Sequence, residues 1–85
     1  MDRKKMLESF KAFVEECGCS FKTTSDQTIE KMYLINDVGL DSIDIMELIF
    51  WMERYLSIEV VDREFYTEVQ TVGDVLDFIE KRVNN

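Results

Sequence analysis

The segment from Ser42 to Leu56 limits this chain's folding options more than any other. Ile45, Leu48, Ile49, Met52 and Leu56 recur at i, i+3, i+4, i+7 and i+11, the spacing of one face of an α-helix. A second apolar row, Ile43, Met46 and Phe50, runs along a different side, and Trp51 extends the first row towards a third. Few polar residues remain between them: Asp44, Glu47, Glu53 and Arg54. A helix that is apolar on most sides either lies at the centre of a fold or meets partners. In a chain of 85 residues one helix can do both.

Two further segments carry the same period. Met6, Phe10, Phe13, Val14 and Cys17, with Leu7 beside them, predict a helix over residues 3–17, with Asp2 as its N-cap and Gly18 just past its end. Val72, Val75, Leu76, Ile79 and Val83 predict a last helix. Thr71 with Asp74 three residues on resembles a capping box in its Asp form, and Lys81 and Arg82 suit the C-terminal end of the dipole. Ser57–Val61 is a β-prone connector, and Asp62–Glu68 predicts a short helix that turns Phe65 and Val69 inward. The polar run from Cys19 to Thr28 reads as loop. Ile29–Ile35, with apolar anchors at Ile29, Met32, Tyr33, Leu34 and Ile35, has room for a turn of helix, and Asn84 and Asn85 are expected to fray. The absence of proline and the presence of only 3 glycines argue against a strongly punctuated all-β architecture. The expected fold is all-α: an antiparallel four-helix bundle with three long helices, one short helix and a long first loop, forming a single domain over residues 1–85.

Charge and composition remove whole classes of function. With 18 acidic residues against 10 basic ones and a net charge of -8, the surface repels nucleic-acid phosphates and anionic membranes. Basic protein surfaces are its natural partners. The chain has no histidine, so no Ser-His or Cys-His nucleophile pair and no His-containing metal site can be built. Cys17 and Cys19 flank Gly18. One intervening residue makes a strained bridge, and two thiolates without other ligands make a poor metal site. Two reduced thiols, Cys17 half-buried on a helix and Cys19 in a loop, are expected, as suits a reducing cytosol. No apolar run follows the basic N-terminus, so neither a signal peptide nor stable membrane insertion is expected. Met1 and the short ends suggest a free-standing protein.

Function concentrates at Asp41-Ser42, between a glycine turn and an acidic helix start. Asp41 can cap the helix, and Asp44 places a second carboxylate in its first turn. Ser42 then exposes a hydroxyl at a helix N-terminus, where backbone N–H groups accommodate a phosphate. No base other than a carboxylate stands beside it, so Ser42 is better placed to be modified by another enzyme than to act as a nucleophile.

The run Asp37-Val38-Gly39-Leu40-Asp41-Ser42-Ile43-Asp44-Ile45-Met46-Glu47-Leu48 resembles the acyl carrier protein signature. There a Gly-x-Asp-Ser-Leu core opens the second helix and its serine carries phosphopantetheine. Glu59-Val60-Val61-Asp62 and Gln70-Thr71-Val72-Gly73-Asp74-Val75-Leu76-Asp77-Phe78-Ile79 are similar to later parts of that family. The resemblance implies a non-enzymatic, monomeric, cytoplasmic carrier with no catalytic residue and no metal. Its 4'-phosphopantetheine would be covalently attached to Ser42, and an acyl group would ride on it as a thioester. The implied partners are a phosphopantetheinyl transferase and acyl-handling enzymes of fatty-acid, lipid or polyketide-type biosynthesis that bear basic docking patches. By matching positions, Asp41, Asp44, Glu47 and Glu53 would supply docking charges, and Ile43, Met46 and Phe50 the apolar contact. Ile43 stands where the family has Leu, Val61 where Pro is frequent, and Arg54 where a second acid is common, while Phe50 and Trp51 are bulkier than usual. A peptidyl or aminoacyl carrier shares the fold but usually lacks the Asp before Ser. An unmodified acidic helical interaction module is the alternative from a different class.

Overall fold

The computed structural model describes residues 2–23 and 25–83. The chain forms α1 (Arg3–Glu16), α2 (Asp26–Glu30), a π-helical turn (Leu34–Val38), α3 (Ser42–Tyr55), α4 (Asp62–Glu68) and α5 (Val72–Val83). There is no strand among the described residues; an isolated bridge pairs Tyr33 with Thr71. The long helices and the short α4 stand where the periodicity places them, and the all-α class holds. The expected frayed tail, Asn84 and Asn85, lies outside the described residues, as does Thr24 of the first loop.

Local chemistry fixes the helix ends. The Asp2 carboxylate accepts from the Lys4 N–H at 3.1 Å. At the other end of α1, Gly18 adopts φ +84, the left-handed conformation that only glycine reaches without strain. The Gly18 N–H then donates to the Glu15 carbonyl at 3.0 Å and the Cys19 N–H to the Val14 carbonyl at 3.1 Å, the paired bonds of a Schellman stop. Helix α5 opens on the expected box: the Asp74 N–H donates to Thr71 Oγ1 at 3.1 Å, and the Thr71 N–H donates back to the Asp74 carboxylate at 3.0 Å.

The first connection is more ordered than its polar sequence suggests. Ser25 accepts from the Thr28 N–H and starts α2 at Asp26, earlier than the apolar anchors indicate. The π turn follows because the Asp37 carboxylate takes the Tyr33 N–H at 2.8 Å, while the Tyr33 carbonyl takes the N–H groups of Asp37 and Val38. Backbone bonds from Leu34 to Gln70 and from Val72 to Met32 strap this segment to the start of α5. Of the five anchors, Ile29 and Leu34 are buried and Met32 packs partly against the core, but Tyr33 and Ile35 face outward. The period here is neither 3.6 nor 2, so spacing gave no guide to facing.

One apolar core joins every element. Phe10 and Val14 of α1, Leu48 and Met52 of α3, Phe65 of α4 and Ile79 of α5 are all essentially inaccessible. Two arginines pin the periphery. The Arg3 guanidinium reaches Glu30 at 2.6 Å, Asp77 at 2.8 Å and Glu80 at 3.2 Å, holding α1 to α2 and α5. These bonds raise its already high pKa further, against a smaller desolvation effect. Arg82 lies 3.3 Å above the Phe78 ring and binds Glu64 at 2.7 Å, holding α5 to α4.

The two apolar rows of α3 separate cleanly. Leu48 is 0% exposed and Phe50 60%. Trp51 falls between them, half-buried with its ring 5.6 Å from that of Phe13. Leu48→Ala is therefore expected to cost about 2–5 kcal/mol as a large-to-small core change, and Phe50→Ala far less. Thermal melts of the two variants check the assignment of faces, and equal destabilisation would refute it.

Candidate functional site

The corner before α3 is built residue by residue. Gly39 takes φ +92, which lets the chain turn out of the π segment. Leu40 is 2% exposed and nails the turn to the core, with its N–H on the Leu34 carbonyl at 3.0 Å. Asp41 follows as N-cap. Its carboxylate accepts from the Asp44 N–H at 2.8 Å, and the Asp44 carboxylate accepts from the Asp41 N–H at 3.1 Å. This reciprocal box fixes the first helical residue as Ser42.

Ser42 is exposed, and among the described residues no side chain bonds its hydroxyl. The Asp44 N–H is taken by Asp41, and the Ile45 N–H by the Asp41 carbonyl at 3.0 Å. The N–H groups of Ser42 and Ile43 stay without a protein partner among the described residues, at the positive end of a 14-residue helix. A singly charged phosphodiester on Ser42 Oγ suits that end. Among the described residues no side chain is placed to activate the hydroxyl.

The remaining residues singled out in the sequence fall around this corner. Ile43, Met46 and Phe50 are exposed along one line of α3, at 65%, 52% and 60%. Glu47 and Glu53 are exposed beside them, and Asp41 is exposed at the cap. Asp44 differs: it is half-buried and one of its oxygens serves the capping box.

Two features escaped sequence reasoning. An open groove of about 400 Å³ lies one helical turn from Ser42, with Leu34, Ile45, Phe65 and Val69 among its lining residues and the exposed Tyr33 and Tyr66 also along it. Its walls come from the π turn, α3 and α4, a juxtaposition no local pattern reveals. The second is the setting of Cys17, which the fold places beside Asp44 and Glu47. Burial, and then the charges of Asp44 and Glu47, push its thiol up to about 11. At neutral pH Cys17 is therefore a protonated, poorly nucleophilic thiol.

The bundle thus presents an exposed, unassisted serine at a helix start. A family model described as a phosphopantetheine attachment site matches residues 27–79. The acyl carrier protein of Thermotoga maritima is 28% identical over 81 residues, 95% of both chains. That of Thermosynechococcus vestitus is 31% identical over 83 residues, 98% of both chains. That of Phenylobacterium zucineum is 38% identical over 58 residues, 68% of this chain and 72% of its own. The chain belongs to the acyl carrier protein family. Its role is that of a carrier, and its cofactor is covalently attached 4'-phosphopantetheine. Among the described residues no helix is long and apolar enough to cross a membrane.

The capping box can be tested apart from any charge effect. Asp41→Ala is expected to lower stability by about 0.5–2 kcal/mol, whereas Asp41→Asn, which keeps a side-chain acceptor, retains most of it. Urea denaturation of the pair reads this difference. Equal loss in both would mean that the charge of Asp41, and not its cap, stabilises α3.

Proposed function

We propose that Ser42 bears the phosphopantetheine and that the chain presents acyl thioesters to successive enzymes of fatty-acid, lipid or polyketide-type biosynthesis in the cytoplasm, working as a monomer. The single observation that carries this reading is the exposed Ser42 hydroxyl at the first position of α3, with free N–H groups beside it and no activating partner. When bound, the arm supplies a thiol on which an acyl group is held as a thioester. A separate phosphopantetheinyl transferase supplies the base that Ser42 lacks. Everything else falls to the protein's own surface.

That surface is divided by charge. The ion pairs among the described residues use Asp26, Glu30, Glu64, Glu68, Asp77 and Glu80. None uses Asp41, Asp44, Glu47 or Glu53. The acids of α3 are thus left for a partner's basic patch, with Ile43, Met46 and Phe50 as the apolar contact between them. Exposed ion pairs are worth about 0.2–1 kcal/mol each. A few of them orient an encounter without making it tight, which a shuttle requires. The groove walled by Leu34, Ile45, Phe65 and Val69 offers the acyl chain a shallow apolar seat. Each methylene buried there contributes about 0.8 kcal/mol, enough to shield a chain and little enough to release it.

Intact-mass measurement after treatment with a phosphopantetheinyl transferase and coenzyme A tests the attachment. Wild type is expected to gain one phosphopantetheine and Ser42→Ala none. Modification of Ser42→Ala would overturn the assignment, and an unmodified wild type across several transferases would favour a simple interaction module.

Docking has its own test. Glu47→Lys is expected to slow acyl transfer by partner enzymes with little change in helical circular dichroism. Rising salt is expected to weaken wild-type docking as well, because these charges are exposed and screened. Transfer that ignores both the substitution and the salt would sink the electrostatic account.

A further inference from the structure

The two cysteines, taken alone, lack partners for a metal, but the fold supplies them. Helix α1 ends at Cys17 against the first two turns of α3. There the Cys17 Sγ, a carboxylate oxygen of Asp44 and one of Glu47 all lie within 4.8 Å of one another. Asp44 and Glu47 are three residues apart, so they share one face of α3. Neither is ion-paired among the described residues. The end of α1 adds to the same negative potential, since its last turn holds Glu15 and Glu16 and no basic residue.

We propose that Cys17, Asp44 and Glu47 form a binding site for a thiophilic divalent cation, with Zn2+ as the best-suited ion and a fourth position open to water. The donor set selects the ion. One thiolate with two carboxylates suits a borderline-soft metal, whereas Ca2+ and Mg2+ take oxygen ligands. Metal–ligand distances of about 2.0–2.3 Å require the three atoms to draw together. Glu47 is exposed and free to rotate inward, and Asp44 is already oriented by its bond to the Asp41 N–H. As the sulfur–metal bond forms, the thiol proton leaves to solvent. Cys19 stands outside this set, its Sγ 3.7 Å from the Gly39 carbonyl. The site is independent of the attachment at Ser42. If the docking role proposed for Asp44 and Glu47 holds, occupancy would also neutralise part of that surface.

The test uses the reduced, metal-free full chain, titrated with Zn2+ against a chromophoric chelator of micromolar affinity and with Co2+ by absorbance. One Zn2+ per chain is expected to compete with the chelator, undisturbed by millimolar Mg2+ or Ca2+. Co2+ is expected to produce a thiolate-to-cobalt charge-transfer band. Loss of even an outer-shell partner costs about 10–100-fold in metal affinity. Cys17→Ser and Glu47→Gln are each expected to weaken Zn2+ binding by at least that much, and Cys17→Ser to abolish the band. Glu47→Gln changes an exposed helical position and guards against an unfolded Cys17→Ser. Cys19→Ser and Ser42→Ala are expected to bind Zn2+ as wild type does. Failure to compete with the chelator, full binding by Cys17→Ser or by Glu47→Gln, or loss of binding in Cys19→Ser or Ser42→Ala would each overturn the proposal. The last two outcomes would move the ligand to Cys19 or to a thiol carried on Ser42.

Discussion

The reciprocal bonds between Asp41 and Asp44 decide where α3 begins, and much else follows from that boundary. Starting the helix at Ser42 sets the phase of every later residue. With that phase, Leu48 and Met52 fall on the core and Ile43, Met46 and Phe50 on the outside. A shift of one residue would rotate the helix by about 100° and exchange those roles. The buried Leu40 and the left-handed Gly39 hold the cap against the core. The serine is thus placed by the same few atoms that stabilise the helix, and its exposure needs no dedicated element.

The acids that close ion pairs lie apart from those of α3. Asp26, Glu30, Glu64, Glu68, Asp77 and Glu80, on α2, α4 and α5, close ion pairs that knit the bundle, above all around Arg3 and Arg82. The acids of α3 and its cap are not ion-paired among the described residues. The net charge of -8 is also unevenly spread, since residues 37–53 hold five acidic side chains and no basic one. Such a field raises encounter rates with basic surfaces while adding little to affinity. It fits a carrier that must leave each enzyme it meets.

How much of this was legible in the sequence follows from where the information is local. Helices α1, α3, α4 and α5 could be read because their apolar residues repeat at helical spacing and their ends carry Asp2, Gly18, Asp41 and the Thr71–Asp74 pair. The Ser42 corner could be read for the same reason, its signal being contained in a few consecutive residues. The π turn could not, since it depends on Asp37 capturing the Tyr33 N–H and on backbone straps to Gln70 and Met32. Facing in the first connection failed at Tyr33 and Ile35, which look like anchors and line a groove instead. The neighbourhood of Cys17 was hidden because its partners lie 27 and 30 positions away on another helix.

A helix that is apolar on opposite sides invites aggregation, and the charges of α3 bear on that risk. Its outer row is a single file, Ile43, Met46 and Phe50, with Glu47 and Glu53 alongside. A second copy laid against that row brings Glu47 and Glu53 near their counterparts, a repulsion that Arg54 at the far end of α3 only partly offsets. A partner with a basic rim meets the same strip without the penalty. In the docking role proposed for α3, the acids beside the row would do more than attract enzymes: they would make the apolar contact conditional on the partner's charge. Trp51, turned onto Phe13 at 5.6 Å, narrows the strip further by taking the bulkiest side chain of α3 out of it. In that role, specificity on this face would come as much from what the acids repel as from what the apolar residues hold.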